Sequence, residues 1–487
     1  MSLSNALSNA LSGIVAASRG TEVVASNLAN ALTPGFARRE MVLLPRPYIA
    51  AGGGVHIDGV TRIVRSSVLA QTRIAAAESA RSETLGAFHA SVSQSLGVPG
   101  QPGALSTLLA GFDAALVSAA GRPDSEANLS RLVSTGAELT RAFNRMGSEI
   151  QQARSDADSA VASDVQALNA NLTRLAELNR QITVQLASGQ DANASQDARQ
   201  GVIDAIARIV PVQEVSRDGG RVALFTASGG VLLDGSTPTR FSFQAAGPIT
   251  AQMKVGNSPL DVLSIEGTGG AVPANMSFFS GGRLAANLQI RDVDAPSAQA
   301  RLDAAATDLY TRFASDDVDP TLAGGLPGLF TDGGIALVPG QEPGLAQRLS
   351  INPAVNPNTG GALWRLRDGI GAIDAGPVGV SVLLDRMRGA LSQQLLPATA
   401  GMSAIARTAA GMAADVASAA AATRLDADSA RSAAAAQSNA FETMMRQDGV
   451  DSDKEMESLL ALERAYASNA KVLKAVDDMI QTILRLT

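Results

Sequence analysis

The sequence predicts a mainly α-helical chain with inserted β structure: terminal helices forming an antiparallel coiled coil, a long-helix bundle domain, and a β-rich insertion domain. Three observations predict it. Apolar residues recur at heptad spacing at both ends of the chain. Residues 148–188 and 412–448 contain neither Gly nor Pro. Between 211 and 282 the texture changes to short β-branched and aromatic runs separated by glycine-rich turns.

The first stripe runs Leu3, Leu7, Leu11, Ile14, Ser18, Thr21, Ala25 and Leu28, which places these residues on one helix face. The helix should stop near Thr33-Pro34-Gly35, because a residue before proline avoids helical geometry. Residues 36–64 hold Pro45, Pro47 and glycines at 52–54, then alternations at Val55/Ile57 and Val60/Ile63, and read as a small strand pair. Residues 65–96 read as helix, and Leu105, Leu108, Leu109, Phe112 and Leu116 mark a shorter one. After the turn at Gly121–Ser125 a long helical region reaches about residue 188. Its seam is Val161, Val165, Leu168, Leu172, Leu175, Asn179, Ile182 and Leu186. A further helix covers 196–209.

The β texture from Pro211 to Gly282 includes Val222–Thr226, Val231–Leu233, Arg240–Gln244 and Asn275–Phe279. Helical spacing returns at 283–314. Residues 316–362 read as loops with a few strands, 363–396 as broken helix, and 412–448 as one Ala-rich helix. The last stripe runs Leu459, Leu462, Tyr466, Asn469, Leu473, Val476, Ile480 and Ile483, behind a capping box of Ser452 and Glu455. The expected domains are nested. Residues 1–35 and 450–487 form the terminal coiled coil; 36–210, 283–315 and 363–449 form the helical domain with its small strand pair; 211–282 form the β-rich insertion. Residues 316–362 are a loop-rich segment without assignment.

Composition narrows the chemistry. The chain has 487 residues, net charge −7, no Cys, two His, and 3% aromatics. Absent cysteine excludes disulfides, thiolate nucleophiles and Cys-ligated metals. His56 and His89 read as structural, and no phosphate loop or nucleophile elbow occurs. Acids at Asp451, Asp453, Glu455 and Glu457 lack calcium-loop spacing and suit the first turn of a helix. No catalytic, cofactor-binding or metal residue is therefore expected, and no cofactor. With no basic run and no stretch of 18 apolar residues, neither nucleic acid nor membrane is an expected partner, nor is a small-molecule substrate. The first charge is Arg19, so the N-terminus does not read as a cleavable signal.

The stretch from Ala25 to Arg38, with Asn27, Asn30, Thr33, Pro34, Gly35 and Phe36, resembles the N-terminal signature of flagellar axial proteins, the rod, hook and hook-associated subunits. Phe36 stands where Tyr is usual. Residues 450–472, through Glu463-Arg464-Ala465-Tyr466, resemble the matching C-terminal signature, with Ala467 where Gln often stands. Three internal stretches, 104–186, 196–235 and 281–330, resemble the hook-associated protein 1 family within that superfamily. On the residues themselves, Asn27 and Asn30 are poor helix formers that bond locally, and Pro34-Gly35 forces a turn, so the motif should end one helix and redirect the chain.

The resemblance implies a structural, non-enzymatic subunit that forms a ring on the distal end of the hook and joins it to the filament. Alternatives are another axial subunit (hook protein or the third hook-associated protein) or a cell-wall hydrolase fused to axial termini. The implied partners are further copies of the chain, hook protein, the next hook-associated junction protein and a flagellar export chaperone. The implied location is the extracellular flagellum, reached without a cleavable signal. The expected assembly interface is Leu3, Leu7, Leu11, Ile14, Ala25, Leu28, Leu459, Leu462, Tyr466, Leu473, Val476, Ile480 and Ile483. The chaperone is expected to grip Leu473, Val476, Ile480 and Ile483, since an exposed apolar stripe otherwise aggregates. Both ends are expected to be largely disordered in the monomer and to order on assembly.

Overall fold

A computed structural model describes residues 3–33, 35–45, 53–256, 260–267, 270–322, 325–447 and 449–486. Pro34, Pro47 and Gly52 of the sequence reading lie outside the described residues. The chain begins with α1 (Leu3–Ala29), a strand pair β1 (Arg39–Pro45) and β2 (Val55–Arg62), then α2 (Ser66–Leu96), α3 (Leu105–Gly121), α4 (Glu126–Ala187) and α5 (Asn193–Ile209). Six short strands follow: β3 (Val212–Ser216), β4 (Val222–Thr226), β5 (Val231–Leu233), β6 (Phe241–Ser242), β7 (Ser264–Gly267) and β8 (Gly270–Pro273). Next come α6 (Gly282–Gln289), a π-helical turn at Ile290–Asp294, α7 (Ala295–Phe313), β9 (Phe330–Asp332), α8 (Leu345–Arg348) and β10 (Leu349–Ile351). The last part holds α9 (Arg365–Asp368), α10 (Val382–Ser392), α11 (Ala409–Gln447) and α12 (Ser452–Leu486). The chain is mainly helical with small inserted sheets. β1-β2, β3-β4-β5, β6-β7-β8 and β9-β10 are each antiparallel.

Helix α4 organises the body. Ser125 caps it, its hydroxyl accepting from Asn128 N at 3.3 Å. Its 62 residues span about 93 Å at 1.5 Å per residue. That length lets it serve two cores. Its first half, from Leu129 to Ala157, packs with α2, α3, α7 and α11, around a trio of phenylalanines. Phe112, Phe313 and Phe330 lie 5.1–6.0 Å apart between ring centroids, in edge-on or tilted pairs. Its second half packs against α5, β3–β5 and α6. The expected seam is buried from Val161 to Ile182, and only Leu186 stands exposed. The β-rich segment thus shares its core with α4 and α5.

Two asparagines on α4 fasten the sheets to it. Asn169 donates to Phe241 O at 2.7 Å and accepts from Phe241 N at 3.0 Å. Asn179 donates to Val222 O at 2.8 Å and accepts from Val222 N at 3.2 Å. Each amide satisfies both backbone groups of one strand residue that faces the helix.

Some local expectations change. Asn275–Phe279 is no strand: the Asn275 carboxamide accepts from Ser277 N at 3.1 Å and winds a short 3₁₀ turn. Arg240–Gln244 narrows to β6. Residues 316–362 form more than loops, because β9 pairs with β10 while Phe330, Leu345, Leu349 and Val355 enter the first core. Ser452 and Glu455 form no capping box. Asp451 is the cap, its carboxylate accepting from Asp453 N at 3.1 Å and Lys454 N at 3.3 Å. Those bonds, led by the one from the Lys454 backbone, hold the Asp451 carboxyl below its ordinary value.

Candidate assembly interface

The two terminal helices pair antiparallel inside one chain. Positions 13, 20 and 27 of α1 meet 469, 462 and 455 of α12, a step of seven in each direction. The contact is close because it is made of small residues. A Cβ on Gly13 would lie 2.6 Å from Asn469 Nδ2, and one on Gly20 would lie 2.8 Å from Leu462 Cδ2. The buried face of α1 is Ala10, Ala16, Ala17, Gly20, Val24 and Asn27.

That face is not the leucine stripe. The leucines lie one residue further along, about 100° round the helix. Leu11 is 54% exposed, Leu7 and Leu28 nearly 40%, and Ala25 is also exposed, while Leu3 and Ile14 are half-buried. Close approach of two backbones selects Gly and Ala, whereas hydrophobic spacing weights bulk, so the contact within the chain uses the heptad face beside the leucine stripe. On α12 the expected seam does face α1. Leu459, Leu462 and Leu473 are half-buried and Val476 is buried, whereas Tyr466, Ile480 and Ile483 stand exposed. A chaperone gripping Leu473, Val476, Ile480 and Ile483 together would need α12 to leave α1.

The signature turn sits where this pair meets the helical body. Asn27 is buried and bonds at long range, not locally: it donates to Arg39 O at 2.9 Å and Glu455 Oε2 at 3.2 Å, and accepts from Arg39 N at 2.9 Å. Asn30 and Thr33 make the local turn. The Asn30 amide donates to Ser26 O at 2.9 Å, and Thr33 N donates to Asn30 O at 2.9 Å. Gly35 adopts φ +81°, a left-handed conformation suited to glycine. The Arg39 guanidinium lies 4.9 Å over the Phe36 ring. Pro34 lies outside the described residues.

Sequence reasoning missed the residues that lock this corner. Buried Glu455 accepts from Arg38 Nε at 2.8 Å, 417 residues away in the chain. Asp197 of α5 accepts from Arg39 at 3.0 Å and Arg62 at 2.8 Å, tying β1 and β2 to the body. Nothing local signals such pairs. The small heptad Ala10, Gly13, Ala17, Gly20, by contrast, could have been read from spacing.

Among the described residues no group of three His, Asp or Glu side chains could hold a metal ion, and no helix is long and apolar enough to cross a membrane. His89 has a neighbour that the sequence did not suggest, Asp294, at 3.5 Å, and its ring packs edge-on to Phe88. Two buried acids serve the backbone. Asp303 accepts from Gly344 N at 2.7 Å and Ala346 N at 2.9 Å, and Asp319 from Ile370 N at 2.8 Å.

Three family models match the chain. Residues 92–316 match the helical domain of the flagellar hook-associated protein FlgK. Residues 7–36 match the flagella basal body rod protein, and residues 442–486 match the C-terminal part of the flagellar basal body rod FlgEFG proteins. Flagellar hook-associated protein 1 of Escherichia coli K12 is 24% identical over 303 residues, covering 60% of this chain and 53% of that protein. Its counterpart in Salmonella typhimurium is 25% identical over 242 residues, covering 48% and 43%. The structure of the flagellar hook junction protein FlgK from Burkholderia pseudomallei aligns with a TM-score of 0.46 at 20% identity, over 54% of this chain and 47% of that one. The chain spans about half the length of the curated relatives it matches. Both terminal segments match axial rod models and the helical body between them matches the hook-associated model, and together these matches support the flagellar hook-associated protein FlgK family, a family of flagellar structural proteins.

Proposed function

We propose that the chain is a structural subunit of the bacterial flagellum that assembles as a ring on the distal end of the hook and connects it to the filament. The observation that carries this reading is the two-faced first helix. Its small-residue face is occupied by α12, while Leu7, Leu11, Val15 and Leu28 face outward. Covering such half-exposed side chains contributes roughly 1 kcal/mol each. One contact of that kind is weak, and a closed ring repeats it in every subunit. The paired α1 and α12 form the inner wall of the ring, the helical body packs around them, and the β-rich segment points outward.

The partners in this reading are further copies of the chain, hook protein on one side, the next hook-associated junction protein on the other, and an export chaperone before assembly. The chain leaves the cell through the flagellar export apparatus and performs no catalysis. Exposed Ile480 and Ile483 on α12 offer the chaperone its first hold, and Leu473 and Val476 join once α12 separates from α1.

The test is complementation of a strain that lacks its own copy, followed by electron microscopy. The wild-type chain restores filaments on hooks. Leu11→Glu leaves bare hooks and flagellin in the medium, although the purified monomer keeps its circular dichroism. Normal filaments from a Leu7→Glu/Leu11→Glu chain would overturn the reading.

A further inference from the structure

Among the described residues, five buried side-chain nitrogen atoms have no acceptor, and four of them gather at one joint. They are Arg39 Nε, Arg62 Nη2, Arg73 Nη2 and Gln200 Nε2. The joint is where the terminal helix pair meets the body. A cavity of about 600 Å³ lies there, between the chain after α1, the end of β2, α2, α5 and the α11–α12 connection. Arg62, Arg73 and Gln200 line it. Of the arginines that line it, Arg38 pairs with Glu455, Arg62 with Asp197, Arg73 with Asp204 and Glu214, and Arg446 with Glu442.

Arg73 is the most telling of these groups. Its side chain is 4% exposed. Nε donates to Asp204 at 2.7 Å and Nη1 to Glu214 at 2.6 Å, so one part of the guanidinium is satisfied while Nη2 has no acceptor. Arg62 repeats the pattern, with Nε on Asp197 at 2.8 Å and Nη2 without an acceptor. Leaving a buried, charged N–H unbonded forfeits its hydration with nothing in return. The surplus is of one sign and one type, positive and donating. Burial chiefly holds the guanidinium of nearby Arg199 below the ordinary value; Glu214 opposes this, and Arg62 and Arg73 add smaller repulsions.

We propose that this cavity is an oxyanion site, taking a carboxylate or phosphate group whose oxygens accept from Arg73 Nη2, Arg62 Nη2 and Gln200 Nε2. Guanidinium forks match the planar or tetrahedral oxygens of such groups, and the amide adds a neutral donor. The oxyanion comes either from a free molecule such as inorganic phosphate or from an acidic side chain of a second copy. Either one bridges α2, α5 and β2 and stiffens the joint. The donors all lie within one chain, so binding of a free anion is read in the monomer and does not depend on assembly.

The experiment melts the full chain, dilute enough to remain monomeric, in rising sodium phosphate and separately in sodium glutarate, each against sodium chloride at matched ionic strength. The expected result is a saturating rise in Tm with at least one of the two, at least halved in Arg62→Lys and in Gln200→Leu. Gln200→Leu disturbs no ion pair, so it remains informative where Arg73→Gln fails to fold. A response to phosphate alone identifies a free oxyanion as the source; a response to glutarate, with or without phosphate, identifies a side-chain carboxylate. No saturating rise with either anion, or a rise that both variants keep in full, overturns the site.

Discussion

The side-chain amide of Asn27 holds both backbone groups of Arg39, accepting from its N–H and donating to its carbonyl, each at 2.9 Å. The same bidentate hold recurs between Asn169 and Phe241 and between Asn179 and Val222. A helix has no free backbone groups along its length to offer a strand. An asparagine carries one donor and one acceptor at the spacing of a peptide group, so it extends a sheet onto a helix without a second strand. At Asn27 the amide also reaches Glu455, so one residue joins the first helix, the first strand and the last helix.

Asn27→Leu removes three hydrogen bonds and leaves Arg39 and Glu455 short of partners. The expected loss is about 2–4 kcal/mol in urea unfolding, above the cost of an ordinary surface change. A loss below about 0.5 kcal/mol would show that the hold carries no stability.

The two faces of α1 respond differently to substitution. Gly20→Leu drives its side chain into Leu462 and Met41, so it separates α1 from α12 within the monomer. Leu11→Ser leaves that contact alone and weakens contacts between copies. Limited proteolysis of monomers, compared with sedimentation of assembled material, distinguishes them; the same defect from both substitutions would contradict the assignment of faces.

Amide exchange tests how far the terminal pair stands by itself. Of the α12 side chains described, only Glu455 and Val476 are buried, so little apolar surface holds the pair. Away from the Asn27–Glu455 corner, residues 5–20 and 462–485 are expected to exchange quickly in the monomer and slowly after assembly. Strong protection in the monomer would refute dependence on neighbouring copies.

Asp368 is one source of acid sensitivity. The Arg367 guanidinium at 2.7 Å, then the Gly376 N–H at 2.9 Å, hold its carboxyl below the ordinary value. A depressed folded value contributes stability above the unfolded value of about 3.9, and that contribution is lost as pH falls through the depressed one. Unfolding free energy measured from pH 6 to pH 2 should fall more steeply in the wild type than in Asp368→Asn. Identical slopes would exclude this linkage.

Bulk made much of the fold legible. Val161 to Ile182 announced the α4 seam because large apolar residues recur there every three or four positions. The inner face of α1 gives no hydrophobic signal: only the small-residue spacing Ala10, Gly13, Ala17, Gly20 marks it, and the two glycines matter through the backbone approach they permit. Strands β7 and β8 were hidden as well; half or more exposed and only four residues each, they show no alternation to read. Met276-Ser277-Phe278-Phe279 misled in the opposite direction, because apolar residues in a short run suit a 3₁₀ turn as well as a strand. The corner at Arg38, Asp197 and Glu455 is assembled from residues hundreds of positions apart, and only the folded chain brings them together.

Asn27 and Glu455 touch, so everything between them is a single excursion that departs and returns through one doorway. Insertions or deletions inside that excursion do not alter the phase at which the two ends of the polypeptide meet. Changes of length in the body that spare Arg38, Arg39, Arg62 and Asp197 therefore leave the pairing of the ends the same.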